Sequence, residues 1–305
     1  MKSYSLAVAW NWEFDDDYVG LIEKECGLRN ISLLNITPSY LGEICSEIMG
    51  GTITTLSFYD RASDDDEAFF PLAGLMKEKK ILVINPYENV DRAKDKATMH
   101  LELITAGLQV PYTVIISPYN KAQNIELDQQ KIERLGKSFI IKPANTTGGG
   151  TGVMLQAESV RDIIESRKRH KDDKYLLQEY IYPVILDGRR AWFRVFYAFG
   201  EIVNCWWDDH THIYKQCSQE EEELYGLFEL REMMLKIQNV CNLDFFSSEI
   251  ALTSSGKFVV IDYVNEICDM RLQSKFIDGV LDVVVEKIAG LLADFVYRKT
   301  SAAEV

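Results

Sequence analysis

The chain has 305 residues, with 33 Lys and Arg against 47 Asp and Glu, which gives a formal net charge of −14. This excess of acid argues against general nucleic-acid binding, which needs a basic surface to displace counterions from phosphates. Hydrophobic residues make up 47% of the chain and charged residues 26%, a composition typical of a globular protein with enough apolar material for two or three domains.

No apolar run approaches the roughly 20 residues that a membrane-spanning helix requires. The short apolar run near the N-terminus is followed by acidic residues and has no small-residue cleavage site, so we expect neither a secretory signal nor a membrane partner. The six cysteines are scattered, without a CxxC pair or metal-ligand spacing. We therefore expect reduced thiols and a cytoplasmic protein.

Strand and helix patterns alternate over the first 88 residues. The predicted strands are 4–10, 31–34, 52–58 and 81–85, and the predicted helices are 15–26, 38–48 and a segment ending near residue 78. Thr37-Pro38 is typical of an N-cap followed by proline at the first helical position. We expect the acidic loop 60–67 to be solvated surface. The alternation predicts a small doubly wound α/β domain with a parallel sheet.

The middle of the chain contains a glycine-rich loop between two strands. Helices are predicted at 89–107, 126–135 and 159–169, and strands at 110–116, 139–143, 153–155 and 175–181. A strand after the glycines excludes the Rossmann and Walker patterns, which both need a helix there. Glycine N–H groups can approach phosphate oxygens without a Cβ in the way, and here the glycines are Gly148, Gly149, Gly150 and Gly152. Lys142, at the end of the preceding strand, adds a positive charge, although mobile surface loops have a similar composition.

The last third of the chain predicts two hairpins and two helices. The first hairpin, 190–207, turns at Gly200 with Arg194 on its first strand, and the second pairs 247–252 with 257–263. The helices are 220–239 and 279–299. The second hairpin brings Glu249 opposite Asp262, with Asn265 just beyond. Two carboxylates this close repel each other unless a cation lies between them, and oxygen ligands suit Mg²⁺. An edge hairpin with surface acids has the same pattern.

Taken in chain order, these pieces resemble the ATP-grasp superfamily. The matching stretches cover residues 88–270 and are GLQVPYT, FIIKPANTTGGGTGV, LLQEYI, RVFYAFGEIV and the acid–hairpin–acid–x–x–Asn unit. The resemblance implies an α/β protein, α+β in its C-terminal half, in which an ATP-grasp fold follows a doubly wound pre-ATP-grasp domain. It divides the chain into an N-terminal domain (1–88), a lid subdomain with the phosphate loop (89–181) and a C-terminal subdomain with the metal site (182–305).

The resemblance also implies roles for individual residues. Lys96 and Lys142 hold the phosphates of ATP, the glycine loop covers them, and Arg194 acts with Lys142 in catalysis by steadying the transferred phosphate. Adenine is received by backbone groups of the hinge strand, namely Gln178, Glu179, Tyr180 and Ile181. Two Mg²⁺ ions are held by Glu249, Asp262 and Asn265.

The metal motif departs from the family pattern. The family reads Glu-x-Asn, whereas this chain reads Asp262-Tyr-Val-Asn265, which is one residue longer and begins with a shorter acid. A β-bulge would return Asn265 to the metal face; otherwise Glu266 would supply that oxygen. The Pro-Gly that follows the Asn in the family is replaced by residues 266–271.

The activity implied is that of an ATP-dependent ligase that activates a carboxylate as an acyl phosphate and joins it to an amine or thiol. The alternatives are a small-molecule kinase with the same ATP site and a binding or regulatory protein with a degenerate site. The expected substrates are small-molecule or peptide carboxylates and amines, and a homo-oligomer is compatible with the sequence. Residues that either border the substrates or belong to ordinary surface are Trp10, Asn11, Trp12, Arg189, Arg190, His210, His212, Arg271 and Lys275.

Overall fold

The computed structural model of this chain describes residues 1–146 and 150–301. Within these ranges the strands form one parallel sheet, two antiparallel sheets and a two-stranded ribbon. None of the helices in the same ranges is both long and apolar enough to cross a bilayer. All six cysteines are unpaired.

The N-terminal sheet is parallel, with strand order β2-β1-β3-β4. Its strands are β1 (Lys2–Trp10), β2 (Leu33–Ile36), β3 (Ile53–Arg61) and β4 (Leu82–Ile84). The connecting helices are α1 (Asp16–Leu28), α2 (Leu41–Met49) and α3 (Phe70–Glu78). The run from Leu6 to Ala9 is fully buried, as expected for a parallel strand covered on both faces. The predicted doubly wound domain is confirmed.

Two local predictions in this domain are wrong. Helix α2 begins at Leu41 rather than at residue 38, because Thr37 and Tyr40 close a turn through a 3.1 Å hydrogen bond from Tyr40 N to Thr37 O. The acidic loop is not solvated at its start: Asp60 is 5% and Ser63 is 2% exposed. One carboxylate oxygen of Asp60 accepts the N–H groups of residues 62 and 63, both at 3.0 Å, so the acid stabilises a tight turn at the end of β3.

The second sheet is antiparallel, with order β5-β8-β6-β7. Its strands are β5 (Thr113–Ile116), β6 (Phe139–Pro143), β7 (Met154–Ala157) and β8 (Tyr175–Glu179), and its helices are α4 (Tyr87–Lys94), α5 (Lys96–Thr105), α6 (Gln129–Arg134) and α7 (Val160–Arg167). The single helix predicted at 89–107 is broken at Asp95. There the side chain of Asp95 accepts the N–H groups of Ala97 and Thr98 and starts α5 as an N-cap.

The third sheet is antiparallel, with order β13-β12-β11-β14-β15. Its strands are β11 (Trp192–Ala198), β12 (Glu201–Trp207), β13 (Tyr214–Gln216), β14 (Phe245–Leu252) and β15 (Phe258–Asn265), after a ribbon of β9 (Ile185–Leu186) and β10 (Arg189–Arg190). The remaining helices are α8 (Gln219–Leu224), α9 (Phe228–Cys241) and α10 (Asp282–Ser301). The helix predicted at 220–239 is broken at Gly226, whose φ of +67° a helix does not allow.

Alternate residues of the third sheet pack against different layers. Trp192 and Phe196 belong to the cluster that includes α1, α10 and the N-terminal sheet, whereas Phe193 and Val195 pack with α5 and α9. Because side chains alternate along a strand, Arg194 lies on the same face as Trp192 and Phe196. This face looks towards the N-terminal domain, and it carries the candidate site.

Candidate active site

Three charged side chains form a row across the third sheet. Arg194 of β11 is paired with Glu249 of β14, and Glu249 is paired with Asp262 of β15. The predicted register of the second hairpin is therefore confirmed. Directly opposed residues in antiparallel strands have Cβ atoms about 5 Å apart, so the row concentrates two acids and one base in a small volume.

Each carboxylate of this row faces a cation of the chain. Lys96, the first residue of α5, donates to Asp262 Oδ1 at 2.7 Å. Arg194 Nη1 lies 3.2 Å from Glu249 Oε1, and the ring of Trp207 lies 5.0 Å from the guanidinium carbon. Arg194 nevertheless has two buried nitrogen atoms, Nε and Nη1, without a hydrogen-bond partner among the described residues. The guanidinium thus has N–H groups that the described residues leave without a hydrogen bond.

Lys142 ends β6 and reaches the same cleft from the second sheet. Its Nζ lies 3.4 Å from Ile261 O, the carbonyl before Asp262, and 5.3 Å from the centre of the Tyr263 ring. Lys142 is 7% exposed, and no carboxylate within the described ranges forms an ion pair with it. The structure therefore brings Lys96, Lys142 and Arg194 together around the two acids.

The pKa shifts follow from burial and from these charges. Burial raises the pKa of Glu249, although Arg194 opposes the rise. Burial acts in the same direction on Asp262, but Lys96 and Lys142 outweigh it and hold the pKa of Asp262 at about 2. Burial lowers the pKa of Lys142 to about 8 despite the nearby carboxylate of Asp262. At neutral pH the cleft therefore contains an ionised Asp262 and a charged Lys142.

The strand after Asp262 has an irregular register. Glu249 pairs with Asp262 and Ser247 pairs with Asn265, so the three-residue step on β15 matches a two-residue step on β14. Such a bulge places Asn265 on the same face as Asp262, as an extra residue in the motif requires. Burial raises the pKa of the next residue, Glu266, to about 7. The two candidate oxygen donors, Asn265 and Glu266, thus directly follow this bulge.

The donors of this cleft fit Mg²⁺ held together with phosphates. The described residues contain no cluster of three or more His, Cys, Asp or Glu side chains that would enclose a metal by themselves. Mg²⁺ commonly binds through one or two carboxylates plus phosphate oxygens and water. The pair of Glu249 and Asp262, with an amide oxygen nearby, provides that smaller donor set.

The four residues predicted to contact adenine differ in whether their backbone groups are already hydrogen-bonded within the protein. Gln178 is paired on both sides within the sheet, and its side chain donates to Tyr263 Oη at 2.9 Å. Glu179 N donates to Tyr112 O at 3.0 Å. Tyr180 and Ile181 follow the end of β8 and make no backbone–backbone hydrogen bond within the described ranges. Of the four predicted adenine-contacting residues, these last two have backbone groups to offer.

The glycine loop is described only in part. Gly148 and Gly149 lie outside the described residues. Gly150 and Gly152 have φ values of +78° and +74°, which favour glycine. A Cβ at position 152 would also lie 3.1 Å from the His170 ring and 3.2 Å from Pro143, so the chain passes too close to its neighbours for a side chain.

The basic residues considered for an anionic substrate are already paired. Arg190 contacts Asp209 at 2.7 Å, and Lys275 contacts Asp17 at 2.6 Å. The other two pairs are Arg189 with Glu221, and Arg271 with Asp269 and Asp278. His212 stacks on Trp207 with ring centres 5.1 Å apart, and the exposed His210 lies beside Asp209. Trp12 is 39% exposed and packs on Phe14.

Sequence reasoning missed the polar network beneath Lys142. Tyr263 Oη receives the Gln178 amide and lies 2.7 Å from His100 Nδ1, so one hydroxyl joins β8, α5 and β15. Burial, together with the charge of Lys142, lowers the pKa of His100 to about 4. A tyrosine in a largely apolar strand predicts core packing. Only its position directly after Asp262 indicates a role near the site.

No family model matches the sequence, and no curated protein matches it. Solved structures do match. A RimK domain protein ATP-grasp from Sphaerobacter thermophilus has a TM-score of 0.64 and 17% identity, covering 95% of this chain and 98% of that chain. The D-alanine–D-alanine ligase from Bacillus anthracis, complexed with ATP, has a TM-score of 0.66 and 13% identity, covering 98% and 97%. The ATP-grasp ligase PsnB, complexed with a precursor peptide and AMPPNP, has a TM-score of 0.63 and 14% identity, covering 97% of each chain.

Proposed function

Because this chain has the ATP-grasp fold, we propose that it is an ATP- and Mg²⁺-dependent ligase that joins a substrate carboxylate to an amine or thiol. The observation that carries the proposal is the convergence of Lys96, Lys142 and Arg194 on the paired acids Glu249 and Asp262. Three cations and two carboxylates in one cleft are the charges that phosphoryl transfer needs for neutralisation and alignment.

Each group has a part in this proposal. Lys96 and Lys142 bind the phosphates of ATP, and the backbone of Tyr180 and Ile181 receives adenine. Glu249 and Asp262 hold Mg²⁺, with Asn265 or Glu266 as the third oxygen donor. When bound, Mg²⁺ would neutralise charge on the phosphates. Arg194 donates to the phosphoryl group during transfer through its guanidinium, two of whose nitrogens make no hydrogen bond within the described residues.

The proposed reaction has two steps. A carboxylate oxygen of the substrate attacks the γ-phosphorus of ATP, the bond to the bridging oxygen breaks, and ADP leaves. The amine or thiol then attacks the carbonyl carbon of the acyl phosphate, phosphate leaves with the electron pair of the C–O bond, and the nucleophile loses a proton. Exclusion of water protects the acyl phosphate, which suits a glycine loop over the phosphates.

A small-molecule kinase is the alternative, because the same charges would serve transfer to a hydroxyl group. Product analysis separates the two. A ligase releases both ADP and inorganic phosphate, and only when acid and acceptor are both present. A kinase leaves the phosphoryl group on its product and releases ADP alone. Covalently retained phosphate in the purified product would overturn the ligase proposal.

The substrate class is proposed from the solved structures of similar fold. One of those proteins is named for joining D-alanine to D-alanine, and another is bound to a precursor peptide. We therefore propose a small-molecule or peptide carboxylate for this chain. ADP release measured across a panel of amino acids and peptides, crossed with amines and thiols, would identify the pair. The control is the same panel with each partner omitted in turn.

A further inference from the structure

A buried carboxylate holds the start of the glycine-rich loop. Asp173, in the turn between α7 and β8, is 8% exposed. It accepts four hydrogen bonds from two consecutive residues: from N and Nδ2 of Asn145 at 2.9 and 2.8 Å, and from N and Oγ1 of Thr146 at 3.2 and 3.1 Å. No Lys, Arg or His side chain in the described ranges forms an ion pair with Asp173, so these four hydrogen bonds compensate its charge there.

The same turn, residues 170–174, also reaches the neighbouring elements of the cleft. The ring of His170 is so near Gly152 that a Cβ there would lie 3.1 Å away, so the turn meets the far side of the loop as well. Ala144 N donates to Lys174 O at 2.9 Å, and Lys96 N donates to Ala144 O at 3.0 Å. These backbone contacts join the end of β6, which carries Lys142, to the start of α5, which carries Lys96.

A side-chain contact completes this connection. Lys174 Nζ donates to Asp95 Oδ2 at 2.5 Å, and Asp95 is the N-cap of α5. The end of β6 and the N-cap of α5, the segments next to Lys142 and Lys96, thus both contact the turn that holds Asn145 and Thr146.

The charge of Asp173 excludes direct binding of phosphate. A carboxylate next to a phosphate site repels the ligand, and a buried carboxylate without hydrogen bonds is costly. Both effects disfavour an acid here unless it fixes the conformation of the chain. Asp173 binds the backbone N–H groups and the side chains of Asn145 and Thr146. These are the residues at which the loop leaves β6.

We propose that Asp173 is a positioning residue for the nucleotide phosphates, which holds Asn145 and Thr146 at the start of the loop beside Lys142 and Lys96. This inference rests on the proposed function, because it assumes that the cleft binds ATP. With Asp173 in place the loop start is ordered before the ligand arrives, so binding does not have to order it.

The test compares ATP with AMP, since the loop and lysines act on the outer phosphates and AMP lacks them. Calorimetry on the full chain with Mg²⁺ would measure both ligands for wild type, Asp173→Ala and Asp172→Ala. Asp172 is the matched control: it is the adjacent acid, it is exposed, and among the described residues its side chain accepts a hydrogen bond from Asn120 Nδ2 at 2.8 Å and none from the loop. We expect Asp173→Ala to weaken ATP binding about tenfold, with AMP binding within about twofold of wild type and Asp172→Ala unchanged.

Should Asp173→Ala fail to fold, Thr146→Val removes one donor at constant shape and should weaken ATP binding by a smaller factor, again without an effect on AMP. Equal weakening of ATP and AMP would make Asp173 merely structural, and an unchanged ATP affinity would also overturn the inference. If wild type binds no ATP, the proposed function itself fails. If wild type binds ATP and the variants bind it equally well, only the positioning role fails.

Discussion

Lys142 is the residue of the cleft whose charge depends most on its surroundings. Its ammonium group is almost completely enclosed, and burial lowers its pKa to about 8. If Lys142 holds the phosphates of ATP as proposed, the anion binds its protonated form, so the affinity for ATP should fall as the pH rises through this value. We expect the dissociation constant of ATP to increase about tenfold between pH 7 and pH 9, as measured by calorimetry.

Two variants of Lys142 test this expectation. In Lys142→Arg the guanidinium stays charged from pH 7 to pH 9, so the ATP affinity of this variant should not show the fall expected for wild type. Lys142→Ala should lose about 1.5–3 kcal/mol of binding free energy at pH 7, as expected for one hydrogen bond to a charged group. The same pH dependence in Lys142→Arg as in wild type would assign the titration to another group.

Arg194 should act on the reaction more than on binding. Within the described residues its Nε and Nη1 make no hydrogen bond, and in the proposed site the guanidinium meets charge that develops during transfer. We expect Arg194→Ala to lower kcat by a larger factor than it raises the KM for ATP. Steady-state kinetics at saturating second substrate would measure both. A change confined to KM would place Arg194 in ground-state binding of the nucleotide.

At the scale of elements, the hairpin of β14 and β15 carries acids that the chain already neutralises. In the free protein Lys96 contacts Asp262, and Arg194 contacts Glu249. In the proposed site Mg²⁺ would have to displace these cations, and nucleotide phosphates would draw the same cations away. Metal and ATP should therefore each strengthen the binding of the other, and the coupling is reciprocal.

Lys96→Met separates the ion pair of that lysine with Asp262 from its proposed contact with the phosphates of ATP. Without the competing ammonium group, the free protein should bind Mg²⁺ more tightly than wild type, while its affinity for ATP should fall. Metal titration without nucleotide would measure the first effect, and ATP titration the second. Lys77→Met is the control, since Lys77 is exposed and pairs with Glu88 at 2.7 Å rather than with the hairpin. Weaker Mg²⁺ binding in Lys96→Met would contradict this account.

Asp262→Asn tests the hairpin itself. The substitution keeps the shape of the side chain and removes one negative charge, so the fold should survive while most turnover and much of the metal–nucleotide coupling are lost. Glu249→Gln should act in the same direction, with a smaller effect if it holds a single ion. Turnover across a Mg²⁺ titration is the measurement, and near-normal activity in Asp262→Asn would mean that the metal binds elsewhere.

At the scale of the whole molecule, the buried Arg61 of β3 joins the N-terminal sheet to the loop after β15, while an ion pair with Asp15 neutralises its charge. Arg61 is 2% and Asp15 is 1% exposed, with Nη2 of Arg61 donating to Asp15 Oδ1 at 2.6 Å and to Cys268 O at 3.0 Å. Arg61→Met leaves a buried carboxylate unpaired, and we expect it to cost about 3–5 kcal/mol of unfolding free energy in urea.

A surface pair offers the matched control for this stability prediction. Lys275 and Asp17 also join the N-terminal region to the loop after β15, but the lysine side chain is 55% exposed. Lys275→Met should cost about 1 kcal/mol or less, because solvent screens the pair. The double variant Asp15→Asn, Arg61→Met should be more stable than Arg61→Met alone. If Arg61→Met and Lys275→Met lowered the free energy of unfolding by the same amount, burial would not be what makes the Arg61–Asp15 pair the stronger of the two.

Local patterns in the sequence were sufficient to predict the fold class and the central pairing of the site. Alternating strands and helices predicted the parallel N-terminal sheet, because crossover connections bring consecutive strands side by side. The four-residue turn 253–256 predicted the pairing of Glu249 with Asp262. A short turn fixes which residues of the two strands lie opposite each other, and the alternation of side chains between the two faces allows few other registers. Helix boundaries were less predictable, since Asp95 and Gly226 interrupt runs that propensity alone would continue.

Only the tertiary structure decided what surrounds these groups. It brought Lys96, Lys142 and Arg194 from three elements to the same two acids, tied the predicted adenine-contacting Gln178 into a network with Tyr263, and buried Asp60 in a loop that reads as solvated surface. It also placed Asp173 against Asn145 and Thr146, at the start of the glycine-rich loop and 28 residues from Asn145 in sequence. Contacts between elements far apart in sequence depend on how whole layers pack, and no local propensity encodes that arrangement.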